Sequence, residues 1–134
     1  MTELFWDDER VLIDDAVASI QRELATTDPG LSWRTGYVTP QPVFPFRAYA
    51  SIALDDRDDD IDSIDFSIDC KLENGRLRIT SDICYSDGQF IAEGPVAHEP
   101  EGIDRAAWVH ERIEDALGFF RANLGRVRQA LRAE

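Results

Sequence analysis

Lysine is almost missing from this chain: Lys71 is the sole one, and arginine supplies the rest of its 14 basic residues. Against them stand 27 acids, for a net charge of −13. Phosphate backbones and anionic membrane surfaces are bound through clustered Lys and Arg, so neither nucleic acid nor a membrane is an expected partner. A basic protein, a metal cation or a surface kept soluble by self-repulsion remains compatible with this balance. Cysteine is scarce, with two residues, which rules out a disulfide framework and makes a reduced, cytoplasmic setting the expectation. Long apolar runs are absent, and nothing approaches the ~18 residues that a membrane span needs. The opening MTELFWDDER has no cationic region ahead of an apolar one, so no secretory signal is expected. Also missing are G-x-S-x-G, a P-loop and G-x-G-x-x-G. No catalytic residue and no cofactor are therefore expected, and an enzyme is the less favoured class.

The residues that are present suffice for one fold. With 43% hydrophobic and 10% aromatic residues, the 134-residue chain has the composition and length of a single domain spanning 1–134. From Glu3 to about Ala25, Trp6, Ile13, Val17, Ile20 and Leu24 recur at helical spacing, with Thr2 or Asp7 able to cap the start. Asp28-Pro29-Gly30 stops that helix. Residues 31–45 are ambiguous: LSWRTGYV reads as a short strand, but Pro40, Pro42 and Pro45 make the next piece irregular or an edge. Phe46 to Leu54 alternates as a strand with one apolar face.

The centre of the chain is more explicit. Ile64, Phe66, Ile68, Cys70 and Leu72 occupy alternate positions, and Asn74-Gly75 supplies the two positive-φ residues of a tight hairpin. That turn opposes Glu73 to Arg76, Leu72 to Leu77, Cys70 to Ile79, Phe66 to Ile83 and Ile64 to Tyr85. The apolar side chains then share one face, with Ser81 the lone polar residue among them. Asp87-Gly88 predicts a second hairpin setting Tyr85 against Phe90, Cys84 against Ile91 and Ile83 against Ala92. Cys70 and Cys84 fall on opposite faces, so no disulfide joins them. Gly94–Gly102 reads as a loop, and Asp104 caps one long helix to about Arg132 with the stripe Val109, Ile113, Ala116, Phe120, Leu124, Val127 and Leu131. Such a helix is ~42 Å long at 1.5 Å per residue and would overhang its sheet. The predicted architecture is α+β: a two-layer sandwich with an antiparallel meander of four to five strands and both terminal helices on one face.

Three clusters carry possible chemistry. Alternating acids Asp58, Asp60 and Asp62 match the start of a calcium loop, which offers hard carboxylate oxygens on a tight turn. The sixth position of that frame is Ser63 rather than Gly and the twelfth Asp69 rather than Glu, so the plainer reading is a solvated hairpin tip. His110 and Glu114 lie one helical turn apart, and with His98-Glu99 they form the alternative reading, a small-molecule or metal site between sheet and helices. Ordinary i,i+4 surface pairing gives the same spacing. Third, Trp108 and Phe119 widen the apolar arc of the last helix well beyond what resting on a sheet requires. With Arg112 and Arg126 they mark the expected partner interface, toward the first helix of the same chain or toward a second copy in a homodimer. In layout and charge the chain resembles secretion-chaperone-like and bacterial immunity-type binding proteins, which implies a non-enzymatic module that holds another, possibly basic, protein. The usual chaperone layout also has a helix between strands, and none is read between Phe46 and Glu93.

Overall fold

The computed structural model describes residues 7–27, 30–38, 45–54, 63–85 and 87–132. Helix α1 (Asp7–Ala25) is followed by five strands, β1 (Leu31–Val38), β2 (Phe46–Leu54), β3 (Ile64–Glu73), β4 (Arg76–Tyr85) and β5 (Phe90–His98), then by α2 (Arg105–Ala122) and α3 (Leu124–Arg132). The strands form one open antiparallel sheet in chain order, leaving β1 and β5 at its edges. LSWRTGYV is therefore a strand, paired with β2 over its whole length.

The hairpin at Asn74-Gly75 forms as its residues dictate, with φ of 53° and 80° at the two central positions. Its register opposes Leu72 to Leu77, Cys70 to Ile79, Phe66 to Ile83 and Ile64 to Tyr85, as the alternation requires. One sheet face thus carries Phe46, Ile52, Ile64, Phe66, Ile68 and Ile83, each no more than 2% exposed. Against them α1 lays Ile13, Val17, Ile20 and Leu24, while α2 and α3 lay Val109, Ile113, Phe120, Val127 and Leu131. Phe66 and Phe120 stack at 4.2 Å between centroids, pinning α2 over the middle of the sheet. Leu72 shares the inner face by register yet is 51% exposed, for it lies beyond Cys70, where the pairing of β3 with β2 ends.

Two departures from expectation concern β5. The β4–β5 register is not the simple one: Cys84 pairs with Phe90, while Ile83 keeps Ala92. The reason lies in the turn, where Gly88 N–H donates to the Tyr85 carbonyl, Tyr85 N–H donates to the Gln89 carbonyl, and Gly88 sits at φ 92°. This is the three-residue, left-handed-glycine connection, which inserts a bulge instead of a two-residue turn. The segment from Gly94 is also no loop, for β5 runs to His98 through a second irregularity between Thr80 and Asp82. Thr80 pairs with Val96 and Asp82 with Glu93, so Gly94 and Pro95 together stand opposite Ser81.

The last helix is not continuous. Asn123 leaves the helical region at φ −106°, ψ 14°, and its side-chain amide donates to the Phe119 carbonyl at 2.8 Å. A side chain that offers the backbone its own hydrogen bond competes with the helical ladder, and Gly118 and Gly125 on either side weaken that ladder further. The single long, overhanging rod is thus replaced by α2 and α3, which follow the sheet. Asp104 caps α2 as expected, accepting from Ala106 N–H at 3.1 Å.

Candidate functional site

The flank of α2 that faces edge strand β5 gathers most of the residues singled out as an interface. Phe119 covers the backbone of Gly94, where an added Cβ would stand 2.8 Å from the ring and 2.6 Å from the Ser81 carbonyl oxygen. Arg126, on α3, donates from Nη1 to the Ile91 carbonyl at 3.4 Å, while Arg112 lies beside Pro95, Val96 and Ala97. Arg112, Phe119 and Arg126 are thus a row at seven-residue intervals along β5. Trp108 falls on the same flank of the helical wheel and is half-buried against the core, as is Phe119. Helix α1 meets the other flank, through His110 to Glu9 and Arg121 to Glu23. The wide apolar arc is therefore filled by β5 where Phe119 stands, and not by the first helix.

Beneath this row the second bulge opens a cleft of about 120 Å³, lined by Ile79, Ser81, Val96, Arg112, Asp115 and Ala116 among others. In two of these residues a polar atom, Ser81 Oγ and Arg112 Nε, is shielded from water and makes no hydrogen bond among the described residues. Ser81 is 1% exposed. The Asp115 carboxylate stands 3.2 Å from Arg112 Nε, compensating its charge, but off the N–H axis, so the donor stays unsatisfied. Ser81 was visible in the sequence as a polar residue on an apolar face. Gly94-Pro95 falls in the stretch expected to be a loop, although Gly-Pro within an edge strand is itself the signal of a bulge.

The histidines do not come together. His98 pairs with Arg78 on the outer sheet face, whereas His110 lies on the helical side. His110 Nδ1 is 3.1 Å from Glu9 Oε2, and Nε2 is 4.0 Å from Glu114, an imidazole between two carboxylates that ties α2 to α1. Glu99 is committed elsewhere: it is 7% exposed, accepts Leu77 N–H at 2.9 Å, and takes Arg105 Nε at 2.7 Å and Nη2 at 2.8 Å. The hydrogen bonds from Arg105, with that from Leu77, hold its carboxyl below the usual carboxylate range. Asp58, Asp60 and Asp62 lie outside the described residues, and among the described residues no group of three His, Cys, Asp or Glu is placed to hold a metal ion.

Both cysteines are free. Burial, then the Glu99 charge, pushes the Cys70 thiol up; burial, then the Asp82 and Asp65 carboxylates, raises Cys84. Each shift disfavours the thiolate that a nucleophile would need. No described helix is long and apolar enough to cross a membrane. No family model matches the chain, nor does any curated protein or solved structure.

Proposed function

We propose that this chain is a non-enzymatic, acidic protein-binding module, chaperone-like or immunity-like in use, that works in the cytoplasm as a homodimer and holds a basic partner. One observation supports the reading most directly: Arg112, Phe119 and Arg126 line edge strand β5, whose Phe90 and Val96 are each 56% exposed. Phe90 and Val96 lie on the outer side of this edge and the arginines on its helical side, and exposed apolar side chains with arginine on one edge are a composition that favours a protein interface, since Arg and aromatics are enriched there. On a chain of net charge −13, an arginine-bearing strip is also the surface that another copy's acids would complement. The acids left over would then speed capture of a basic protein.

Sedimentation across the micromolar range tests the dimer. Wild type is expected to sediment as a dimer, and Val96→Glu or Phe90→Glu, both at exposed positions, to sediment as a folded monomer. A wild-type monomer throughout the range rejects the homodimer. Capture from native extract at low and high salt tests the partner: a salt-sensitive basic protein is expected, and recovery of none rejects the binding module.

A further inference from the structure

We propose that two copies of this chain stack through their outer sheet faces, strands antiparallel, about a two-fold axis that crosses β4 at Thr80 and β5 at Val96. The inference rests on the homodimer reading above and gives it a face and a register. Two like-charge pairs carry it. Lys71, the sole lysine, stands directly opposite Arg78, and Arg78 is flanked on its other side by His98. Further along β4, Asp82 stands directly opposite Glu93. Like charges set opposite each other on one sheet face destabilise it, and this face carries two such pairs of opposite sign. Among the described residues Lys71, Asp82 and Glu93 form no ion pair, and Arg78 reaches the exposed Glu73 only at 3.9 Å. Burial, then the Asp69 and Glu93 charges, holds the Asp82 carboxyl above the usual carboxylate range, against the opposing pull of Arg47.

The spacing of the two pairs supplies the partner. Thr80 lies midway between Arg78 and Asp82, and Val96 is its neighbour across the row. A half-turn about that row, with the axis in the plane between two sheets, reverses the strands and lays each face on its own image. Arg78 then stands over Asp82 of the second copy and His98 over its Glu93, with Lys71 beside the first contact, and the symmetry repeats both. The Arg47–Asp69 ion pair, at 3.5 Å, falls in the same row and is neutral, so it tolerates its own image. Stacked sheets stand about 10 Å apart, a gap that long side chains of opposite charge bridge from the two sides. At the axis Val96, 56% exposed, meets its own image and leaves water.

Net charge and area fit the same occupant. The paired positions of this face hold bases and acids in equal number, so a second copy meets it without the repulsion that the chain's net −13 imposes elsewhere. Five strands about 4.8 Å apart, each about nine residues long at about 3.3 Å per residue, offer on the order of 700 Å² per copy. A stable interface buries about 800 Å² a side.

The test reverses the charges of the full chain and reads its assembly by sedimentation, with native mass spectrometry for mixtures. Lys71→Glu with Arg78→Glu leaves an acidic face, and Asp82→Lys with Glu93→Lys leaves a basic one. Each variant alone stacks like on like and should dimerise at least about tenfold more weakly than wild type. Mixed in equal amounts, the two should form a heterodimer at least as tight as the wild-type dimer. Lys71→Gln with Arg78→Gln keeps the charge change mild; it should weaken the dimer about three- to tenfold with the wild-type circular dichroism, and it decides the matter if a reversal fails to fold. A wild-type monomer throughout the micromolar range removes the homodimer itself. A wild-type dimer that all three variants leave unchanged keeps the homodimer and overturns this face. Folded reversal variants that stay monomeric when mixed overturn the two-fold register. A wild-type monomer that captures a salt-sensitive basic protein, lost on Asp82→Lys with Glu93→Lys, gives the face to that partner and overturns the stacking.

Discussion

Glu99 shows how one carboxylate can be taken for chemistry and turn out to be an anchor. Beside His98 it reads as a possible ligand. Its two oxygens instead hold the Arg105 guanidinium and Leu77 N–H, and Arg105 Nη2 reaches on to the Gly75 carbonyl at 3.1 Å. The start of α2 is thereby tied to the β3–β4 hairpin. Glu99→Gln retains an acceptor for Leu77 but loses the charge-assisted pair, and should lower stability by about 1–3 kcal/mol in urea unfolding. The direction of the shift sets the pH dependence. A depressed folded value means that the stabilisation is complete above the unfolded Glu value of 4.5 and is lost as pH falls through the folded one. Asp82 has the opposite sign: burial, then Asp69 and Glu93, raises it, so its charged form weakens the fold at neutral pH and protonation relieves this on the way down. The urea midpoint of Asp82→Asn should thus exceed that of wild type at pH 7 and approach it in acid, whereas Glu99→Gln should fall short at pH 7 and converge below pH 4.5. Parallel pH profiles for the three proteins would contradict both assignments.

At the scale of elements, the β3–β4 hairpin was legible in full and β5 was not, for one physical reason. Asn74-Gly75 is a two-residue turn whose geometry transmits the register without loss, so the alternation of Ile64, Phe66, Ile68 and Cys70 settles the pairing residue by residue. Asp87-Gly88 carries the same dipeptide signal but belongs to a three-residue connection, and the extra residue moves Phe90 from beside Tyr85 to beside Cys84. Phe90 is exposed in consequence. The second bulge then returns Val96 to the outer face and Ala97 to the inner one, a pair of shifts that no period-two pattern displays. The candidate interface was legible as residue types on a helix flank; that the flank adjoins β5 rather than α1 depended on tertiary placement. Gly94→Ala tests how much the second bulge depends on close approach. Its Cβ would meet main-chain oxygen at 2.6 Å, which no rotamer can relieve, so a loss of about 1–3 kcal/mol is expected in urea unfolding. Ala tolerated without loss would show that β5 can slide away from β4 freely.

Over the whole molecule, both layers pair acids with bases. The outer sheet face alternates signs, with Arg47 3.5 Å from Asp69 and Arg78 3.9 Å from Glu73. The helical layer pairs several of its acids with arginines, among them Glu23 with Arg121 and Asp115 with Arg112. Such exposed pairs contribute little individually, and they leave the excess of 27 acids over 14 basic residues intact. Self-repulsion of a net −13 opposes the compact state, where the charges are closest, more than it opposes the extended chain. Salt shortens the reach of that repulsion from about 30 Å at 0.01 M to about 3 Å at 1 M, while the same salt weakens attractive surface pairs. The two effects have opposite signs, and with nearly twice as many acids as bases the net repulsion should win. The thermal midpoint should therefore rise as sodium chloride goes from low to high concentration, with most of the gain early, where the screening length shrinks across the molecule's own dimensions. The proposed dimer would steepen this response, because bringing two acidic copies together adds their mutual repulsion. Measuring the midpoint at two protein concentrations distinguishes the cases: a rise with salt alone reports the monomer's own charge, and a rise with both reports an association that salt permits. A midpoint that falls with salt would mean that the surface pairs outweigh the net charge, the reverse of what the composition implies.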